Sequence, residues 1–213
     1  MVKAVIFDLW GTLVETGVKP SPTKQVKYFL RARDDFSEFV HKFEDSFMKE
    51  EFESLKDGFE NVVNEFDLRI PDFVYDKMIG MWNKNSILAK PYDDLEVLKE
   101  FKEKGYKVFV LANIDKFSYE QLKQKIDFKE LIDKAYLSYE TGVLKSEGVF
   151  EIIAKENKIK KEDMIMVGDS LKSDVENAEN EGVKAVLMDR RDRREYENKV
   201  KDLNELLTFI TRA

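Results

Sequence analysis

The sequence contains no cysteine. Disulfides, thiolate catalysis and cysteine-based zinc sites are therefore excluded. Histidine is almost as scarce. His41 stands alone in a helical pattern beside Lys42 and Glu44, where a solvated residue is expected rather than a catalytic base. Long apolar runs are missing, and no stretch has the length of a transmembrane helix. The opening MVKAVIFDL runs directly into a strand, without the longer apolar region and cleavage site of a signal peptide, so a cytoplasmic protein is expected. Net positive charge is lacking too. The formal charge is −7 and the pI about 5.1, which argues against nucleic acid or an anionic membrane as main partner. No internal repeat or low-complexity segment stands out.

Core-forming and ionised residues are plentiful. Hydrophobic residues make up 43% of the 213, with 16 Phe, and charged residues 37%. That length accommodates one large domain, or a core domain carrying a smaller insert. Strand-like apolar runs recur at Ala4–Phe7, Val108–Ala112, Ala135–Ser138, Met164–Val167 and Ala185–Met188. Helical patterns separate the later ones, at Ser118–Lys125, Glu147–Asn157 and Ser173–Glu181. Such alternation predicts an α/β fold, a Rossmann-like doubly wound parallel sheet with helices on both faces. All strand C-termini then share one edge, where such folds bind ligands.

Residues 16–85 read differently. Phe36, Phe39, Val40, Phe43 and Phe47 recur at three- and four-residue steps, one face of an amphipathic helix. Phe59, Val62, Val63 and Phe66 continue the pattern, and Phe73, Val74, Met78 and Trp82 follow Pro71. We expect an all-helical domain at 16–85, inserted after the first strand of a core built from 1–15 and 86–213.

Two strands deliver carboxylates to the functional edge. The run Val5–Phe7 ends in Asp8, followed by Gly11, which allows close backbone approach, and Thr12, which adds a hydroxyl. The run Ile165–Val167 ends in Gly168 and Asp169, with Asp174 at the start of the next helix. On neighbouring parallel strands Asp8 and Asp169 converge, and two such carboxylates share a proton or bind a cation. Oxygen ligands of this kind suit Mg²⁺. Lys145, just before a helix, can neutralise a nucleophilic carboxylate and a transferring phosphoryl group. Asp174 also suits a helix N-terminus on dipole grounds alone. The cluster Arg190, Arg191, Arg193 and Arg194 is interleaved with Asp189, Asp192, Glu195 and Glu197, and reads as a salt-bridged surface loop.

The segments VIFDLWGTLVE and GDSLKSD resemble the first and fourth motifs of the haloacid dehalogenase (HAD) superfamily of hydrolases, and the likeness extends over essentially the whole chain. It implies that Asp8 is the nucleophile and that the helical insert is a cap domain. It implies a Mg²⁺ site made by Asp8, the Trp10 main-chain carbonyl and Asp169. Asp174 and Gly168 would support that site. Lys145 matches the third-motif lysine, and Thr12, Ala112 and Asn113 fall at phosphate-binding positions. Two residues depart from the pattern. Phosphatases of the superfamily carry a second Asp where this chain has Trp10, and a Ser or Thr where it has Ala112. Loss of a positioned general acid costs roughly 10²–10⁴-fold in rate.

The resemblance therefore implies a Mg²⁺-dependent phosphohydrolase. It would act on a small phosphorylated metabolite through an aspartyl-phosphate on Asp8, favouring good leaving groups. One alternative is a metal-independent 2-haloacid dehalogenase, a branch with Tyr at the position of Trp10. The other is a non-catalytic member that binds a phosphorylated ligand or a protein partner.

Overall fold

The computed structural model describes residues 2–212. Met1 and Ala213, which bound the expected core segments, lie outside them. The chain opens with β1 (Ala4–Phe7) and the short β2 (Val14–Glu15). Four helices follow: α1 (Pro22–Leu30), α2 (Phe36–Met48), α3 (Leu55–Glu65) and α4 (Asp72–Leu88). It returns through β3 (Lys90–Pro91) to α5 (Val97–Glu103), β4 (Lys107–Ala112), α6 (Lys116–Lys123), α7 (Phe128–Leu131) and β5 (Lys134–Leu137). The rest comprises α8 (Ser138–Thr141), α9 (Val149–Asn157), β6 (Met164–Gly168), α10 (Asn177–Asn180), β7 (Lys184–Met188), β8 (Lys199–Val200) and α11 (Leu203–Arg212).

The main sheet is parallel throughout, in the order β5-β4-β1-β6-β7-β8. Its strands bury both faces, because successive side chains point to opposite sides of the pleat. Val5 and Phe7 join an apolar cluster with Leu98 and Phe101 of α5, Leu122 of α6 and Leu206 of α11. Ala4 and Ile6 join the opposite cluster, with Phe150 and Ile153 of α9 and Val175. The chain leaves β1 for β4 on one side and later reaches β6 on the other. That reversal opens a crevice at the strand C-termini, where folds of this class take their ligands.

The inserted helices form a cap domain with its own core. Asp35 starts α2 by accepting the N–H groups of Ser37 and Glu38 at 2.8 and 3.0 Å, which satisfies donors that a helix N-terminus leaves free. Phe43, Phe47 and Phe59 surround Trp82 of α4, with ring centroids 5.6, 5.1 and 5.7 Å from it. Such aromatic pairs add about 0.5–1.5 kcal/mol each beyond the area they bury. Not every residue of the expected stripe is inside, for Phe36 is 42% and Phe73 57% exposed. Both lie in the first turn of their helices. Helix α4 runs on to Leu88, beyond the expected end of the insert. The two connections to the cap pair antiparallel, Val14 with Pro91 and Glu15 with Lys90.

The strands lie within one residue of their expected positions. Ser138, expected in the third run, opens α8 instead. The helix expected from Glu147 begins at Val149, because Glu147 folds back to accept the Leu144 N–H at 2.8 Å. The helix expected over Ser173–Glu181 starts earlier and divides into a wide π-helical turn, Leu171–Glu176, and α10.

Candidate active site

Asp8 follows β1 directly, its N–H bonded to the Val167 carbonyl of β6 at 2.8 Å. Asp8 is 7% exposed. Lys145 Nζ donates to Asp8 Oδ1 and to Asp174 Oδ1 at 2.7 Å. Among the described residues, nothing donates to Asp8 Oδ2. Carboxylate oxygens of Asp8, Asp169 and Asp174 all lie within 4.8 Å of one another.

Two glycines permit this crowding. A Cβ on Gly168 would lie 2.2 Å from Asp174 Oδ2. Gly11 has φ +82°, and a Cβ there would lie 2.5 Å from Asp169 Oδ2. The π-helical turn sends Asp174 back into the site, where its Oδ2 accepts the Ser170 N–H at 2.9 Å. Turns of this kind recur at functional sites.

Burial sets the electrostatics. It pushes Asp8 up to about 7 against the pull of Lys145, with Asp174 and Asp169 adding to the rise. Asp169 is pushed to about 6 by burial and then by Asp174. Burial opposes the charge of Lys145, yet Asp174 and Asp8 together hold it well above the usual lysine range. Three carboxylates around one ammonium leave an excess of negative charge. This donor set fits a divalent cation, whose arrival removes the repulsion.

Asp8, Trp10, Asn113, Lys145, Asp169 and Asp174 meet around one cavity of about 190 Å³ at the seam between core and cap. Thr12, Ala112 and Gly168 do not line it. Thr12 is fully buried and its hydroxyl makes no hydrogen bond to the described residues. Ala112 packs in the apolar cluster beneath the sheet edge. The Asn113 side chain is engaged at both ends: Oδ1 accepts the Lys145 N–H at 3.0 Å, and Nδ2 donates to Glu44 Oε2 at 2.8 Å.

Several contributors escaped the sequence reading. Glu44 of α2 lines the cavity from the cap side. It interrupts the row Val40–Glu44–Met48, spaced four apart, and a charge within an apolar row was the available signal. Trp82 Nε1 reaches from the cap to Asp115 Oδ2 at 2.9 Å and Ser118 Oγ at 3.0 Å. The arginine cluster is an exposed loop at Arg191, Arg193 and Arg194, as expected, but Arg190 at its root is half-buried: it pairs with Asp94 at 2.5 Å, donates to the Thr12 carbonyl, and lies 4.1 Å over the Tyr92 ring. Arg194 donates to the Asp169 carbonyl. The adjoining acid Asp189 accepts the N–H groups of Arg193 and Arg194, so the loop braces the site.

A family model of haloacid dehalogenase-like hydrolases matches residues 2–182. No curated protein matches the sequence. Among solved structures, the chain resembles a HAD family enzyme from Bacteroides thetaiotaomicron in complex with magnesium and inorganic phosphate. The TM-score is 0.62 at 18% identity, over 92% of this chain and 98% of that one. A HAD phosphatase from Thermococcus onnurineus gives 0.59 at 21% identity, over 98% of each chain. A 2-haloacid dehalogenase from Pseudomonas syringae gives 0.64 at 17% identity, over 100% and 99%. At these identities the likeness establishes a shared fold.

Proposed function

The chain belongs to the haloacid dehalogenase-like hydrolases, and from that premise we propose that it is a Mg²⁺-dependent phosphohydrolase acting on a small phosphorylated metabolite. One observation carries the choice. The cavity is lined by five acidic side chains, those of Asp8, Glu44, Asp115, Asp169 and Asp174, and Lys145 is the one cation among the described residues there. A metal-free dehalogenase must hold the carboxylate of a 2-haloacid, and this lining repels it. A site that first gathers a divalent cation turns the same acids into an asset.

In this reading Asp8, Asp169 and the Trp10 carbonyl hold the ion, with Asp174 and Gly168 shaping the site behind them. When bound, Mg²⁺ supplies charge neutralisation to the phosphoryl oxygens. Asp8 attacks phosphorus through the oxygen that Lys145 leaves free, and the ester oxygen departs. Water then hydrolyses the aspartyl-phosphate. Lys145 orients Asp8 and offsets charge on the phosphoryl group. Asn113 fixes the main chain at Lys145. Trp10 offers the leaving group no carboxyl proton, so esters with good leaving groups react fastest.

The test is phosphate release from acetyl phosphate and p-nitrophenyl phosphate with and without Mg²⁺, with Asp8→Asn as control. Mg²⁺-dependent turnover should fall to background in the variant. Halide release from a 2-haloacid, unaffected by EDTA and lost in Asp8→Asn, would instead establish the dehalogenase.

A further inference from the structure

Glu44 is a carboxyl inside the cavity to which the steps above give no task. It belongs to the cap, and Asn113 alone among the described residues hydrogen-bonds its side chain. The same amide accepts the Lys145 N–H, and Lys145 holds Asp8. Two side chains thus separate Glu44 from the candidate nucleophile. Among the described residues Glu44 forms no ion pair, although Lys145 and Asp174 are close enough to act on it electrostatically. Holding Asn113 is too small a task for it, since a glutamine would accept that hydrogen bond equally well without placing an ionisable group in an acidic pocket. Burial pushes Glu44 up to about 7, so the protonated form persists near neutrality, as proton donation requires.

We propose that Glu44 is the general acid of the reaction, donating its proton to the leaving-group oxygen from the cap. The assignment rests on the phosphohydrolase reading and completes it, because Trp10 leaves the loop after β1 without a donor. As Asp8 forms its bond to phosphorus, the bond from phosphorus to the ester oxygen breaks. That oxygen keeps the electron pair and takes the Glu44 proton, leaving as a neutral alcohol. Water hydrolyses the aspartyl-phosphate, its proton passing to the departing phosphate, and Glu44, now a carboxylate, regains its proton from solvent. Phosphate departs, and both carboxyl groups return to their starting states. Since the donor rides on α2, esters with poor leaving groups are cleaved only when the cap is seated.

The experiment compares wild type, Glu44→Gln and Glu44→Asp on acetyl, p-nitrophenyl, phenyl and ethyl phosphate with Mg²⁺. Acetate needs no proton to leave, and ethanol does. Glu44→Gln should lose about 10²–10⁴-fold on ethyl phosphate and little on acetyl phosphate, giving a steep dependence on leaving-group basicity. Glu44→Asp should recover part of the ethyl phosphate rate. Acetyl phosphate turnover serves as the check that the variant is folded. An equal loss on all four esters, or no loss on any, overturns the assignment to Glu44 while leaving the phosphohydrolase standing. Absence of Mg²⁺-dependent turnover in wild type, with Asp8→Asn no different, overturns both.

Discussion

Glu44 costs the folded chain stability, and its sign with pH follows from linkage. Its carboxyl binds a proton more tightly when folded, at about 7, than the ordinary glutamate at 4.5. Below the lower value both states hold the proton. As pH rises towards 7 the unfolded chain releases it and the folded one does not, so stability declines and then levels off, by up to about 3 kcal/mol. Glutamine does not titrate. Urea midpoints should therefore place Glu44→Gln above wild type at pH 8, with the gap narrowing towards pH 5. Parallel curves would mean that Glu44 ionises freely. This residue also marks where sequence reading stops. Asp8 and Asp169 were legible because each ends an apolar strand, and a carboxylate there requires a use. Asp174 and Lys145 were legible because each stands near the start of a helical pattern on the same edge. Glu44 lies within an amphipathic helix, and which of its flanks meets the core is decided by packing between residues far apart in sequence.

Individual elements were legible to the extent that their cause is local. The strands are runs of β-branched and aromatic residues buried on both faces, and such runs announce themselves. The two-residue β2 and β3 have no pattern to show, because their pairing arises only when the cap folds back on itself. The π-helical turn was hidden for a related reason, as Asp174 within it meets Lys145, far away in sequence. Between elements, polar contacts cross the seam of cap and core at Glu44–Asn113, Lys49–Glu147, Lys116–Glu51 and Lys172–Ser37, and two further ties involve α4. Trp82 of α4 donates to Asp115, which is buried and also caps α6 through the Ser118 N–H at 2.9 Å. Burial pushes the Asp115 carboxyl upward, opposed by its bonds from Ser118 and Trp82. Trp82→Phe keeps an aromatic ring but removes the donor. Losing a hydrogen bond to a charged group costs about 1.5–3 kcal/mol, so the urea midpoint should drop accordingly. An unchanged midpoint would show that the seam is held elsewhere. Lys125 gives a second tie, donating to the carbonyls of Ser86, Ile87 and Ala89 at 2.6–2.9 Å. These groups cluster at the α4 C-terminus, where helix carbonyls lack partners.

At the scale of the whole molecule, the cavity where the ion is proposed to bind sets five acidic side chains against one lysine among the described residues. A ligand that binds only the folded chain stabilises it by mass action, by about 2.7 kcal/mol at a hundredfold excess over its dissociation constant. Mg²⁺ should accordingly raise the melting temperature of wild type and leave that of Asp169→Asn unmoved, a comparison that needs no substrate. Equal shifts in both would place the ion outside this cavity. The general form of the fold was readable from alternation alone, whereas the closeness of Glu44 and Trp82 to the site depends on how the insert settles on the sheet. The paired connections, Val14 with Pro91 and Glu15 with Lys90, bring the two ends of that insert side by side. In chain order, everything between them is a single loop whose two ends meet. Such an arrangement is modular: another helical cassette could be spliced between the same two points without disturbing the sheet, bringing its own selectivity and its own proton donor to a nucleophile that stays with the strands.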